Sequence, residues 1–511
     1  MFLDEKHIFY VIIMIQGDGM KNVFSFMKKQ IAKINVFESI LIMIFVFFCF
    51  STISHYDNDI WFILAGGKYI TLNGIPHIEV FTFHTDYVLI MQQWLTCLIY
   101  YSTYKLFGVK VLTLLFTLIS GLGLFMLYRY SYYLTKNKTI SSIYLMFYTI
   151  FFLVGYTTSR PQIITYLILT SALFLSEKFY KTNNKKYLYL LPFLSLLEIN
   201  LHASMWVLLI CFIGVFLVDS FINKKNWVPY LITIIIMCLV SLINPYGINA
   251  ITYVLSSYEV SSLNNYISEM QPLEFNNFTK LSILLVLVLL IPLNRKTKEK
   301  LPIRYFFLLL GTLVLACSHM KSLPYLGVSL IIVLSFLSSD IKLPEKFKNI
   351  LNKLNKYKCV FVAINVSIFV IAYITLFLGL YTEVHNPSMF SRISNIVDYL
   401  DKNETNKDVK IYTSYEDGGY LEWRGYKPYI DARGDVFIKG NNKKFELMDE
   451  YYKAIKNDEF TLELMEKYQF DYLVLQVDSR MNKYIQKNKY KYYKKVVDES
   501  KTTGYLLYKR V

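Results

Sequence analysis

Cysteine is scarce and unpaired in this 511-residue chain. Cys49, Cys97, Cys211, Cys238, Cys317 and Cys359 stand singly, mostly inside apolar runs, and none follows position 359. That distribution excludes a disulfide framework and a zinc site of the usual spacing. GxxxxGK, GxSxG, HExxH and GxGxxG do not occur in any context that would support them, so no nucleotide site or standard hydrolase signature is visible. No small-residue cleavage pattern follows the first apolar run, which therefore reads as an uncleaved anchor, with Met20 (opening MKNVFSFMKKQ) as an alternative start. No internal repeat or low-complexity linker divides the chain. The net charge of +16 has no basic face interleaved with aromatics, which argues against nucleic acid as a partner.

What is abundant is apolar surface. Hydrophobic residues make up 54% and aromatics 17% of the chain, and the mean hydropathy is +0.35, values that point to a polytopic membrane protein. Runs of near-spanning length recur at about 36–54, 109–128, 139–157, 161–176, 187–201, 205–222, 228–243, 281–293, 303–318, 324–338 and 359–381, about eleven in all. Between them, Lys28, Lys29 and Lys33; Arg129, Lys136 and Lys138; Lys178, Lys185 and Lys186; Lys224 and Lys225; Arg295, Lys296 and Lys298; and Lys342 through Lys358 fall on one side when the spans alternate, and that side is read as cytoplasmic. The fold class expected is an all-α polytopic bundle, residues 36–381, after a cytoplasmic segment 1–35 and with a first exterior loop at 55–108. From 382 to 511 the charge is balanced, 23 Lys+Arg against 21 Asp+Glu. There VKIYT, KPYID, DYLVLQV, KKVVD and GYLLYKR alternate with period two, and SRISNIVDYLDKN and FELMDEYYKAIK read as helices, so a small exterior α/β domain is expected.

The ends opposite the lysines carry few charges, in specific company: HYDNDIW (55–61), TTSRPQ (157–162), EINLHAS (198–204), INPYG (243–247), NNYISEMQP (264–272) and CSHMKSLP (317–324). Asp57 and Asp59 sit where the first span emerges. Acidic residues are common at such exits, because Asp near a bilayer centre costs roughly 2.5–3.5 kcal/mol. The following IWFILAGGKYITLNGIPHIEVFTF is too polar to span and suits an amphipathic segment along the outer surface, where a fixed carboxylate would take a proton from an acceptor hydroxyl. Arg160 and Lys321 at span ends suit either lipid headgroups in general or the phosphate of one lipid-linked substrate. His202 reads as a satisfied interhelical histidine or a substrate contact, and Glu269 as a loop carboxylate or a second polar group near the site. Gly418 and Gly419 suggest a tight turn before a short helix. Asp431, Arg433 and Asp435 suggest an ion-paired strand end, with Arg433 as a substrate contact in the alternative reading.

The order D-x-D-I-W-F, R-P-Q, N-L-H-A, N-P-Y-G, E-M-Q-P, K-S-L-P, D-G-G-Y-L-x-W and Y-I-D-A-R-G-D, over about residues 50–440, resembles bacterial polytopic proteins related to GT-C glycosyltransferases. The resemblance implies transfer of a sugar from a polyprenyl-phosphate or polyprenyl-diphosphate carrier to an acceptor hydroxyl at the outer face of the bacterial plasma membrane. By this resemblance Asp59 is the key carboxylate. Ile63 stands where the group often has His, Lys321 where it tends to have Arg, and Met270 where Trp is common. The expected roles are Asp59 as general base and Arg160 with Lys321 on the donor phosphate. Asp57, His202 and Glu269 would orient the acceptor, a cell-envelope glycan, lipid or protein. No cofactor is implied, although the DND spacing is compatible with a divalent cation. A non-catalytic lipid or polysaccharide transporter or assembly protein is the alternative. Transporters often show paired halves with broken mid-membrane spans, whereas here the ionisable residues gather at one face.

Overall fold

The computed structural model describes residues 34–53, 58–153, 159–259, 267–272, 300–341, 344–357 and 391–511 except 489–490, with scattered positions between 360 and 374. Asp57 and the apolar run 281–293 lie outside the described residues, as does most of 359–381.

Four described helices are long and apolar enough to cross a bilayer: Trp94–Thr135, Gln162–Thr182, Ala203–Ile222 and Met320–Leu337. Val228–Val240 and Ile303–Ser318 are shorter apolar helices beside them. We label the elements used below α1 (Asp59–Asn73), α2 (Trp94–Thr135), α3 (Gln162–Thr182), α4 (Leu191–Leu201), α5 (Trp206–Ile222), α6 (Ile303–Ser318) and α7 (Leu323–Leu337). The run 187–201 does not form a full span. Its helix α4 has 11 residues, about 17 Å at 1.5 Å per residue, against a hydrocarbon core of about 30 Å. Helix α2 runs for 42 residues but breaks at Gly108 (φ 78°, ψ 179°), a backbone position that favours glycine. At the lysine-bearing end of the bundle, Arg304 of α6 pairs with Glu177 of α3 at 2.9 Å and Asp219 of α5 at 3.0 Å, all three buried. One guanidinium thus ties three helix ends together.

The carboxy-terminal part is a five-stranded mixed sheet in the order β2-β1-β3-β5-β4. Its strands are β1 (Lys410–Tyr412), β2 (Lys427–Pro428), β3 (Tyr472–Gln476), β4 (Tyr493–Glu499) and β5 (Tyr505–Arg510), one in each period-two run. Strand β1 pairs parallel with β2 and β3, and β5 pairs antiparallel with β3 and β4. The helices of this part include α8 (Ser394–Asn403), the short α9 (Gly418–Trp423) and α10 (Leu447–Lys456).

Bundle and sheet share one apolar core, because the segment from Gly74 to Gln93 runs up into the carboxy-terminal part. Phe83 packs on Tyr429 and Phe470, the His84 Nε2 lies 3.0 Å from the Tyr429 carbonyl, and the Val88 N–H donates to the Asn442 carbonyl. Helix α1 is therefore not a half-exposed amphipathic segment on the outer surface. Its residues from Ile60 to Gly67 are buried all round, between α2 on one side and α9 on the other. The turn expected before a short helix falls at residues 415–417, and Gly418 and Gly419, neither with positive φ, open that helix, α9. They permit close approach: a Cβ on Gly418 would lie 2.0 Å from the Ile430 carbonyl oxygen, and one on Gly419 would lie 3.2 Å from the Phe62 nitrogen.

Candidate functional site

Asp59 opens α1, where the unsatisfied N–H groups of the first turn favour a negative charge. The helix is held from above by α9. Trp61 meets the Tyr420 ring edge-on at 4.9 Å, and Gly419 brings backbone against backbone at Phe62. The carboxylate is thus fixed by packing rather than left on a loop.

Arg160 precedes Pro161 at the start of α3. Its Nε lies 3.0 Å from Asp59 Oδ2 and its Nη1 lies 2.6 Å from Glu269 Oε2. Glu269 sits on a short 3₁₀ turn, Ser268–Met270. A backbone hydrogen bond of 3.0 Å from Met320 N–H to the Gln271 carbonyl joins this segment to the turn Met320–Ser322, which carries Lys321.

These four residues line one end of a cavity of about 1360 Å³. The carboxy-terminal part closes it with Arg392, Tyr415, Glu416 and Asp435. Away from them the lining turns apolar, with Leu208, Phe212 and Val215 on α5 and Phe307, Gly311 and Leu315 on α6. The cavity is itself amphipathic: charged at the ends of the spans, greasy between two membrane helices.

Asp435 accepts hydrogen bonds from Gln92 Nε2 (2.8 Å) and Tyr253 Oη (3.0 Å). Burial raises its carboxyl above the usual range, against the pull of those two donors.

Two expected substrate contacts are committed elsewhere. His202 is buried, with Nδ1 2.7 Å from Thr165 Oγ1, whose hydroxyl also donates to Glu198 at 2.6 Å. It does not line the cavity, because the chain turns at the end of α4 and points the ring into the contact with α3. Arg433 reaches the cavity wall, but its guanidinium is engaged by three buried carboxyls. Nε donates to Asp431 (3.0 Å), Nη1 to Glu79 (3.2 Å), and Nη2 to Glu79 (3.1 Å), Glu422 (3.1 Å) and Asp431. The run from Asp431 to Asp435 is not a strand edge, since β2 ends at Pro428 and Gly434–Phe437 is a 3₁₀ turn. Arg433 thus clamps the segment Gly74–Gln93, through Glu79, to α9 and Asp431 of the carboxy-terminal part.

Sequence reasoning missed Arg392, Glu416 and Tyr415 in the cavity wall. Tyr415 and Glu416 lie at the head of the YEDGGYLEW run, whose glycines were the available signal; Arg392 carried none. Among the described residues no group of three or more His, Cys, Asp or Glu is arranged to hold a metal ion.

No protein-family model matches the chain, and no curated protein matches it. Solved structures do. The oligosaccharyltransferase of Archaeoglobus fulgidus, crystallised tethered to an acceptor peptide containing the NVT sequon, aligns with TM-score 0.50 at 9% identity, over 83% of this chain. The chain spans 65% of that protein's length. ArnT from Cupriavidus metallidurans, crystallised bound to undecaprenyl phosphate, aligns with TM-score 0.53 at 10% identity, over 93% of this chain and 97% of ArnT. The chain has the fold of these GT-C membrane proteins.

Proposed function

We propose that the chain is an integral membrane glycosyltransferase that moves a sugar from a polyprenyl-phosphate or polyprenyl-diphosphate carrier to an acceptor hydroxyl, at the outer face of a bacterial plasma membrane. The observation that carries this reading is the amphipathic cavity. A lipid phosphate needs cations at one end and apolar walls at the other, and Arg160 with Lys321 lies at the charged end of a space that continues between α5 and α6. The shared fold supports it, since ArnT was crystallised with undecaprenyl phosphate.

In this mechanism Asp59 removes the proton of the acceptor hydroxyl as its oxygen bonds to the anomeric carbon. The bond from that carbon to the carrier phosphate breaks, its electron pair leaves on the phosphate oxygen, and Arg160 and Lys321 stabilise the charge that collects there. The activated carrier supplies the driving force. Arg392, Tyr415 and Glu416 form the wall available to the acceptor, a cell-envelope glycan, lipid or protein.

The test is transfer of labelled sugar from a polyprenyl carrier by purified protein in nanodiscs. Asp59→Asn keeps size and polarity but removes the base, and should slow transfer by about 10²- to 10⁴-fold while the protein stays monodisperse. Transfer at the parental rate would mean that Asp59 only serves the start of α1, and would favour transport or assembly over catalysis.

A further inference from the structure

Among the described residues, two carboxylates on Arg160 are unlike. Asp59 is 20% exposed and opens a helix buried on all sides, whereas Glu269 is 45% exposed and stands on a three-residue turn. They also use different parts of the guanidinium: Asp59 lies on Nε and Glu269 on Nη1. A phosphate gripped by arginine takes two adjacent N–H groups of the planar fork. A phosphate that takes the Nη1–Nη2 edge leaves Asp59 on Nε but must displace Glu269 from Nη1. Glu269 is moreover tied through the Gln271–Met320 hydrogen bond to the turn that carries the second cation, Lys321. Glu269 thus stands on one cation, Arg160, and on a segment hydrogen-bonded to the turn of the other, Lys321.

We propose that Glu269 is a displaceable counter-ion: it covers the Arg160 position that a lipid phosphate takes, while Asp59 keeps the Nε edge and so holds the fork facing that phosphate. This rests on reading the cavity as a lipid-phosphate site. Glu269 is a positioning residue in this scheme, since it acts through Arg160. A bound donor must compete with it, which raises the affinity an anion needs to enter. It also helps empty the site. A sugar joined through a single phosphate leaves behind a carrier monoester of about −1.5 to −2 charge, more strongly held by the cations than the diester it came from. The return of Glu269 to Arg160 opposes that retention.

The consequence is a gain of binding on removing a charged residue from the site, which structural damage would not produce. With farnesyl phosphate as the probe and purified protein in detergent, Glu269→Gln should bind about two- to fivefold tighter than the parent, the range expected for losing a competing, partly exposed ion pair. Glu269→Asp should stay close to the parent, and Arg160→Gln should lose most of the binding. In transfer assays Glu269→Gln should lower KM and lower kcat together, because the product carrier leaves more slowly. If the parent binds, Arg160→Gln does not, and Glu269→Gln binds equally or more weakly, the counter-ion role is wrong while the lipid-phosphate reading stands. Should the parent bind farnesyl phosphate no better than a variant lacking both Arg160 and Lys321, the lipid-phosphate reading fails and the inference falls with it.

Discussion

Replacing Arg433 by Met removes a cation from among carboxyls that have no water to turn to: the Glu79 and Asp431 side chains are 0% exposed and Glu422 is 1% exposed. Burial, helped by the neighbouring carboxylates, pushes Glu422 well above the usual carboxyl range against the pull of Arg433. Asp431 is different: burial would raise it, but the Arg433 charge and its hydrogen bonds outweigh that and leave it below the usual range. Removing one partner of a buried ion pair typically costs about 3–5 kcal/mol. The sign follows from linkage. In the parent, Asp431 contributes stability that is present above its unfolded pKa and lost as pH falls through the folded one. In Arg433→Met its carboxyl, buried without a cation, is raised instead, so the penalty is full at neutral pH and shrinks by about 1.4 kcal/mol per pH unit as the group protonates on folding. Apparent Tm and protease resistance of the purified protein, measured at pH 8 and pH 5, read this directly. We expect a loss on the order of 10–20 °C at pH 8 for 3–5 kcal/mol if the carboxy-terminal part melts as one unit, much smaller at pH 5, and largely reversed by adding Glu79→Gln and Asp431→Asn. An equal loss at both pH values would refute the reasoning. Parental stability with lost substrate binding would return Arg433 to the substrate.

Gly418→Ala sets a methyl 2.0 Å from the Ile430 carbonyl oxygen, a backbone atom that cannot yield without moving β2 and its sequel. The expected result is a destabilised, protease-sensitive carboxy-terminal part and loss of transfer, whereas a control with open space around it, Gly504→Ala, is strained at its own φ but meets nothing and should leave transfer near parental. His84 is held neutral: burial lowers its pKa from 6.5 to about 4, against the pull of its hydrogen bond to the Tyr429 carbonyl and of Glu450. The unfolded chain therefore takes up this proton first, and the stability it contributes is present above about pH 6.5 and is lost as pH falls toward 4, up to about 3 kcal/mol. The Tm of the parent should fall more between pH 7.5 and pH 5 than that of His84→Gln, and parallel slopes would remove His84 as the cause.

How much could be read beforehand depended on the range of the interactions involved. Asp59, Arg160, Glu269 and Lys321 were visible because charge is costly at span ends and charge balance assigned those ends to one face; the structure gathers all four around one cavity. The five strands were visible because a sheet with a buried face writes period two into its sequence. The sequence leaves His202 and Arg433 open between an internal partner and a substrate, and does not show what the two glycines pack against, for a common reason. Their surroundings come from distant segments: Arg433 is defined by Glu79, Gly419 by Phe62, and His202 by Thr165. The same holds for α1, which is buried because α2 and α9 cover it from two sides. The run 187–201 reads as one element because its apolar residues continue back from α4 through the turn at 188–190 to Tyr187, the end of a 3₁₀ turn.

The clamp on Arg433 has a consequence for how the protein is made. Glu79 and Arg433 are 354 residues apart, so at about 5–20 residues per second the ribosome needs roughly 20–70 s to deliver the second after the first. During that time the segment containing Glu79, Phe81, Tyr87 and Leu89 has already been synthesised, and the surface that will bury it does not exist. Chain order and folding order are thus opposed. The segment from Gly74 to Gln93, among the earliest parts to emerge, is among the last to settle, and a nascent chain stalled anywhere before residue 433 would keep it open to proteases and to holding chaperones.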